Sequence, residues 1–189
     1  MKKIVLPILS LFLLGCGDDP LPKPKGYLRL DYPDAKYEAA SIPLPFSFEK
    51  NMLAAPITSV KSTSEAKGID IKYPSLKATI FLTYKDVKAN NLDNLLRDTQ
   101  NLTQKHTMKA DEISQKEFLR PNDNVYGMLY EIGGDAASQS QFYVTDSISH
   151  FVSGSLYFYA KPNYDSIYPA SEYLKNDIKR IMETIKWKN

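Results

Sequence analysis

The sequence contains few of the residues that disulfide frameworks and metal centres require. Its 189 residues include one cysteine, Cys16, and two histidines, His106 and His150. A lone cysteine cannot form a disulfide within the chain, and neither histidine stands in a spacing typical of zinc ligands. We therefore expect neither a disulfide-stapled fold nor a metal site, and no cofactor.

Long apolar runs are also scarce, and the clearest one is short. Residues 4–14 form an uncharged, mostly apolar run after Lys2 and Lys3, a pattern typical of a signal peptide. A membrane-spanning helix would need about 20 apolar residues. The run ends in Leu13-Leu14-Gly15-Cys16, which matches a bacterial lipobox. We expect cleavage before Cys16 and attachment of palmitate-type acyl chains there, giving a stable membrane anchor.

The charge balance gives no sign of a nucleic-acid partner. The chain has 24 Lys and Arg against 22 Asp and Glu, and removal of residues 1–15 would leave no formal net charge. Nucleic-acid-binding domains usually carry a concentrated basic patch. No nucleic acid is therefore expected among the partners, and the membrane is expected to be reached through the N-terminal lipid.

Alternating prolines follow the cysteine and suggest a tether. Pro20, Pro22 and Pro24 favour an extended polyproline II conformation. At about 3.1 Å per residue, the segment from Cys16 to Tyr27 would then span roughly 30 Å. A semi-stiff spacer and a leader without a set length both fit this pattern. The expected organisation is a signal peptide at 1–15, a lipidated tether at 16–26 and a single α+β domain at 27–189.

Alternation of apolar and polar residues predicts most of a sheet. Residues 69–73 and 78–84 alternate on either side of Pro74-Ser75, which predicts a hairpin. Four later stretches alternate and are separated by short turns, so we expect antiparallel strands at 113–119, 125–132, 139–145 and 150–160. The last of these is apolar on both faces and should lie in the centre of the sheet.

Two stretches change to helical spacing. One begins after Asn90 or Asn91, either of which could cap it, and the other is expected from residue 170 to 186. The predicted fold class is α+β, an antiparallel meander sheet with helices packed on it. Its element order resembles the PsbP-like sandwich of the photosystem extrinsic proteins, a likeness of fold that carries no function. The first helix has its apolar residues on one face: Leu92, Leu95, Leu96 and Leu102.

Candidate catalytic groups do not assemble into a recognisable motif. His106 is expected at a helix end and His150 at a strand start, both ordinary places for histidine. Ser153-Gly154-Ser155 lacks the Gly-x-Ser-x-Gly elbow of hydrolases, and Gly133-Gly134 reads as a hairpin turn. The sequence therefore predicts no catalytic residue and no enzyme.

Residues 27–32 form an alternating segment that stops at Pro33, so we interpret it as an edge strand or extended arm. Two roles remain open for it. In one, Leu28 and Leu30 close the core. In the other, Tyr27, Arg29 and Asp31 face a partner, together with the proline-rich loop that follows, because unpaired edges are templates for another chain.

Two stretches carry a family resemblance: Pro22 to Pro33 (PKPKGYLRLDYP) and Gly154 to Ile167 (GSLYFYAKPNYDSI). Together with the lipobox they resemble the gliding-motility lipoprotein family GldD of Bacteroidetes. The resemblance implies a non-catalytic assembly or accessory component of gliding motility and the associated type IX protein secretion, with envelope proteins of that machinery as partners. It implies anchoring in the outer membrane and leaves the periplasmic or surface face open. The resemblance implies a role for one residue only, Cys16, as the site of lipid attachment.

The 13 tyrosines support an alternative reading of the same chain. Tyrosine presents an apolar ring and a polar hydroxyl, which suits sugars and peptides. The alternative is a periplasmic or surface ligand-binding lipoprotein with a tyrosine-lined cleft. A concave pocket walled by tyrosine would favour it, whereas a flat exposed apolar surface would favour a protein partner.

Overall fold

The computed structural model describes residues 26, 30–88, 90–105, 109–160 and 163–188. Cys16, Tyr27, Arg29 and His106 lie outside this part of the chain. Within it the helices are α1 (Leu92–Gln104) and α2 (Tyr164–Thr184). The strands are β1 (Tyr37–Ala39), β2 (Phe46–Ser47), β3 (Glu49–Asn51), β4 (Lys61–Ser62), β5 (Lys67–Tyr73), β6 (Ala78–Asp86), β7 (Ala110–Arg120), β8 (Val125–Gly134), β9 (Ser138–Thr145), β10 (His150–Phe158) and β11 (Lys186–Trp187).

Seven strands form one antiparallel sheet in the order β4-β5-β6-β10-β9-β8-β7. β10 is the fourth strand of the seven, as its apolar residues on both faces predict. Leu156 of β10 lies opposite Ile80 of β6 and opposite Ser140 of β9. Two small sheets, β1-β3 and β11-β2, complete the fold. The predicted α+β class and the run of antiparallel strands from β7 to β10 are confirmed.

The hairpins β5-β6 and β7-β8 turn by the same device. Pro74 begins a one-turn 3-10 helix that ends at Lys77 with φ 48°, and the Lys77 N–H donates to the Pro74 carbonyl at 3.2 Å. Pro121 and Asn124 repeat this arrangement, with φ 51° and an N–H to carbonyl distance of 3.1 Å. Proline fixes the first φ angle, so the turn is set before the strands pair.

The main core lies between one face of this sheet and a layer made of α2 and the proline-rich segment. Prolines at 33, 43, 45 and 56 predict little regular structure over residues 33–56, apart from a short strand at 45–49. Residues 33–56 nevertheless hold three short strands. Residues 40–48 connect β1 to β3, closed by an Ala40 N–H to Phe48 carbonyl hydrogen bond of 2.9 Å, and every second side chain of this connection lies in the core. This alternation is hard to recognise in the sequence, because prolines occupy two of the positions between the buried residues. The buried side chains are Ala40, Ile42, Leu44, Phe46 and Phe48.

α1 begins directly after Asn91, as predicted, whereas α2 begins earlier than predicted. α2 begins at Tyr164, six residues before the expected 170, because the Asp135 carboxylate accepts the Tyr164 N–H at 2.9 Å. Asn91 makes no side-chain cap. Its amide instead accepts from the Lys88 N–H at 2.8 Å and donates to the Asp86 carbonyl at 3.1 Å, which ties α1 back to β6.

α1 covers the opposite face of the sheet from α2. The Thr103 hydroxyl donates to the Gln141 side-chain oxygen at 2.8 Å, and Gln141 points away from its neighbour Phe142 in the main core. Leu95, on the same helix, is also buried. The sheet therefore has a helix on each face.

Candidate functional site

The most connected polar cluster lies where the N-terminal segment meets α2. We call it the N-terminal junction and define it as Tyr32, Tyr37, Asn51, Tyr173 and Asp177. The β1-β3 register places Tyr37 directly opposite Asn51. A spacing of four residues puts Tyr173 and Asp177 on one side of α2. Each rule brings two of these side chains together, and the packing of α2 against β1 and β3 joins the two pairs.

Asp177 is the centre of this junction and is only 1% exposed. The Tyr37 hydroxyl donates to its carboxylate at 2.9 Å, and the Asn51 amide lies 3.1 Å from both carboxylate oxygens. The same amide is 3.1 Å from the Tyr173 hydroxyl oxygen. The carboxylate is therefore held mainly by neutral donors rather than in an ion pair.

A second layer surrounds this carboxylate. The Tyr73 hydroxyl is buried beside Asp177 but falls short of standard hydrogen-bond geometry. Arg180 forms an ion pair with Glu49, at 2.9 Å from Nε, and lies 5.2 Å from the centre of the Tyr37 ring. Burial, followed by interaction with the Asp177 carboxylate, raises the pKa of both Tyr37 and Tyr73. Both hydroxyls therefore stay neutral, and the one of Tyr37 donates to Asp177, which fastens the N-terminal segment to α2.

The stability contributed by Asp177 should depend on pH. Burial raises the pKa of this carboxyl, and hydrogen bonds from Tyr37 and Asn51 offset only part of that rise. Because the folded state holds the proton more tightly than the unfolded chain, this contribution is present below the ordinary aspartate pKa of about 4. It is lost as pH rises through the raised value. We expect Asp177→Asn to flatten this part of the unfolding free energy measured in urea between pH 4 and 7.

A charge-matched control for this experiment is Asp34→Asn at an exposed position. This variant should keep the wild-type dependence of the unfolding free energy on pH. An Asp177→Asn protein with an unchanged slope would show that the buried carboxyl is not responsible.

The arm enters the fold at this junction. The Tyr32 ring stacks on Tyr173 with centroids 5.0 Å apart and planes 26° apart. Directly before it, Asp31 is exposed and Leu30 is 46% exposed. Met52, which directly follows Asn51, is 58% exposed. Of the predicted partner-facing residues, Asp31 is thus at the surface, while Tyr27 and Arg29 lie outside the described residues and remain predictions.

Sequence patterns alone do not identify Tyr37, Asn51, Tyr173 and Asp177 as a site. A usable signal was available in α2. Tyr173 and Asp177 each stand directly beside a residue of the apolar stripe, Leu174 and Ile178, where a polar side chain is drawn into the interface. A buried carboxyl needs donors, but the sequence does not say which segment supplies them.

His150 lies at the start of β10, as predicted, and is packed among aromatic side chains. The Tyr84 hydroxyl donates to Asp86 at 2.8 Å and its oxygen lies 3.0 Å from His150 Nδ1. The His150 ring stacks on Trp187 at 5.1 Å, and the Trp187 indole N–H donates to the Asn124 carbonyl at 3.0 Å. These contacts hold β11 against the end of the sheet and bound a cavity of about 420 Å³.

A second cavity, of about 340 Å³, lies between α1 and the strands β7 and β8. Tyr130 forms part of its floor but is only 2% exposed. Tyr73 and Tyr84 are also at most 2% exposed and belong to the main core. These three tyrosines therefore serve packing more than ligand contact. The other lining residues are Gln100, Thr103, Gln104, Ile113 and Gln115.

No group of three or more His, Cys, Asp and Glu side chains in the described part of the chain is arranged to hold a metal ion. No helix in it is both long and apolar enough to cross a membrane.

Comparison with known proteins identifies the family. A family model described as gliding motility lipoprotein GldD matches residues 17–187, which include the arm, the sheet and both helices. No curated protein and no solved structure matches, so the PsbP-like likeness stays a prediction. Cys16 directly precedes the matched region, and its lipidation also stays a prediction. The chain belongs to the gliding motility lipoprotein GldD family and is, as that family implies, a lipid-anchored protein of the cell envelope.

Proposed function

We propose that this protein is a non-catalytic assembly or accessory component of the gliding motility machinery and the associated type IX protein secretion, anchored in the outer membrane through Cys16. The observation that carries the proposal is the family match over residues 17–187. That match includes the proline-rich tether and the arm as well as the folded domain. The tether and arm therefore belong to what defines the family.

The N-terminal junction supports a role in binding an envelope protein. Tyr32 and Tyr37 fix the chain on α2, so the residues before them leave the domain at a defined place. Leu30 and Met52 expose apolar surface next to this exit point, and Asp31 exposes a charge. Apolar side chains with a charged neighbour are suited to a protein partner.

The packed surroundings of Asp177 and His150 support a non-catalytic role. Asp177 is only 1% exposed and is bound by donors from β1 and β3, which leaves its carboxylate no open side for a substrate. His150 stacks on Trp187 and contacts Tyr84, so its ring is held by packing. Asp177 holds the N-terminal segment on α2, and His150 holds β11 against the sheet, so both side chains have a structural role. The ligand-binding alternative gains little, because the tyrosines with the least exposure are core residues.

Arg29→Glu tests the proposed partner surface. We expect it to reduce capture of envelope proteins roughly tenfold, which corresponds to about 1.4 kcal/mol of interface energy. Stability should change by no more than about 1 kcal/mol, because exposed charges contribute little. Crosslinking in native membranes, followed by purification and mass spectrometry, measures capture. Gliding speed and secreted protein are measured in the same strains.

Arg97→Glu is the matched control, since Arg97 is exposed on α1 at the other face of the sheet. It should leave capture, gliding and secretion at wild-type levels. If Arg29→Glu folds and also retains all three, the arm is structural and the binding surface lies elsewhere.

A further inference from the structure

The two edges of the seven-stranded sheet differ greatly in length. β4, at one edge, has two residues, whereas β7, at the other, has eleven and is the longest strand described. β7 pairs with β8 on its inner side, and no described segment pairs with its outer side. A long edge strand presents unpaired N–H and carbonyl groups along its whole length, which another strand can pair with.

The side chains of β7 are open to a partner strand. None of its residues is fully buried, and Leu119 is 54% exposed. Lys116, near the middle of the strand, has 57% of its side chain exposed and forms an ion pair with Glu131 at 3.0 Å. Glu131 also lies 3.4 Å from Lys179, so this carboxylate is shared by two lysines and offsets part of the central charge of the edge.

The sequence of β7 is complementary to itself in one antiparallel register. With Lys116 opposite Lys116 of a second copy, Ile113 faces Leu119 twice, and Glu112 faces Arg120 twice. Opposed residues of an antiparallel pair share one face of the sheet, so the apolar contacts are direct. Glu112 would approach Arg120 as a second carboxylate, because the Arg120 guanidinium already pairs with Asp123 and donates to the Met182 and Ile185 carbonyls of its own chain. The two central lysines are already paired with Glu131 of their own chains.

Neighbouring registers lose this match. With Gln115 on the symmetry axis, Leu119 would face Asp111 and Ile113 would face Glu117. With Glu117 on the axis, two carboxylates would face each other. Opposed like charges destabilise a strand pair. The pattern therefore favours the register with Lys116 on the axis over its two immediate neighbours.

We propose that β7 is a self-association edge at which two copies of this chain pair antiparallel with Lys116 on the twofold axis, which joins the two sheets into one. The occupant is a second copy, because the same strand supplies both halves of every contact. An isologous pairing of this kind closes as a dimer and leaves the short β4 edges at its two ends.

Lys116→Cys tests the pairing in native membranes of cells that make the full chain. Opposed residues of an antiparallel pair have Cα atoms about 4.5–5.5 Å apart, which a disulfide can span. We expect mild oxidation to convert most of this variant into a covalent dimer. Ser114→Cys would place the two thiols about 14 Å apart along the strands and should stay monomeric. Ser62→Cys, on the exposed β4 edge, measures random collision.

Three results would overturn the proposal. One is a Lys116→Cys dimer yield no higher than that of Ser62→Cys. Another is a yield from Ser114→Cys that equals that of Lys116→Cys. The third is an adduct between Lys116→Cys and a different protein in place of the dimer.

A second variant removes the apolar contact without touching the core. Leu119→Lys should convert detergent-solubilised dimer to monomer in sedimentation, with an unchanged melting temperature. Leu102→Lys, on α1 at 41% exposure, is the matched control and should leave the dimer intact. A Leu119→Lys protein that sediments like wild type would contradict the proposed interface.

Discussion

Cys16→Ala is expected to leave an uncut precursor without fatty acid and to stop gliding. The lipobox thiol is the acceptor of the lipid, and alanine offers no nucleophile in its place. Two acyl chains provide a stable anchor, whereas a domain without any would leave the membrane. Labelled palmitate, followed by gel separation and intact mass, measures both the lipid and the cleavage.

Gly17→Ala is a suitable control, because it changes the next residue and keeps the thiol. It should be cleaved, labelled and motile. Palmitate found in Cys16→Ala would show that the acceptor is elsewhere.

Gly127→Ala is expected to destabilise the domain by about 3 kcal/mol, the upper part of the usual range for overpacking. A Cβ atom on Gly127 of β8 would lie 2.0 Å from the backbone oxygen of Tyr143 in β9 and 2.9 Å from Val144 Cγ1. A backbone oxygen cannot move aside without disturbing the β8-β9 pairing. Urea unfolding of the purified domain measures the loss, which is a large part of a typical stability of 5–15 kcal/mol.

Gly68→Ala makes the same chemical change at a place with room. The nearest atom to its added methyl group would be the Leu82 carbonyl oxygen at 3.6 Å. Alanine is favoured over glycine within strands by roughly 0.5–1 kcal/mol, so this variant should be as stable as wild type or slightly more stable. Equal unfolding midpoints for the two variants would refute the steric argument.

Local patterning predicted the elements that are fixed by local rules. The hairpin around Pro74 and the central position of β10 both followed from spacing and turn chemistry, and α1 followed from its leucine stripe. The start of α2 did not, because the group that accepts its first N–H is Asp135, 29 residues away. No window of sequence around Tyr164 contains that information.

The N-terminal junction was beyond sequence reasoning for the same physical reason. Tyr37 and Asp177 are separated by 140 residues, and Asn51 and Asp177 by 126. Their pairing exists only after β1, β3 and α2 have packed. Asp31 is exposed, as its proposed partner-facing role expects, but Leu30 is exposed as well, so Leu30 does not close the core and the alternation of the arm does not predict its burial.

Contact between the early and late parts of the chain affects how the protein reaches its final state. β2 pairs with β11, and α2 covers the core beside residues 40–48, so the layer over the sheet needs segments near both ends. Contacts of such long sequence separation form late in folding. A chain threaded through an export channel cannot complete its core until α2 has emerged. The emergence of α2 therefore sets the earliest moment at which the core can close.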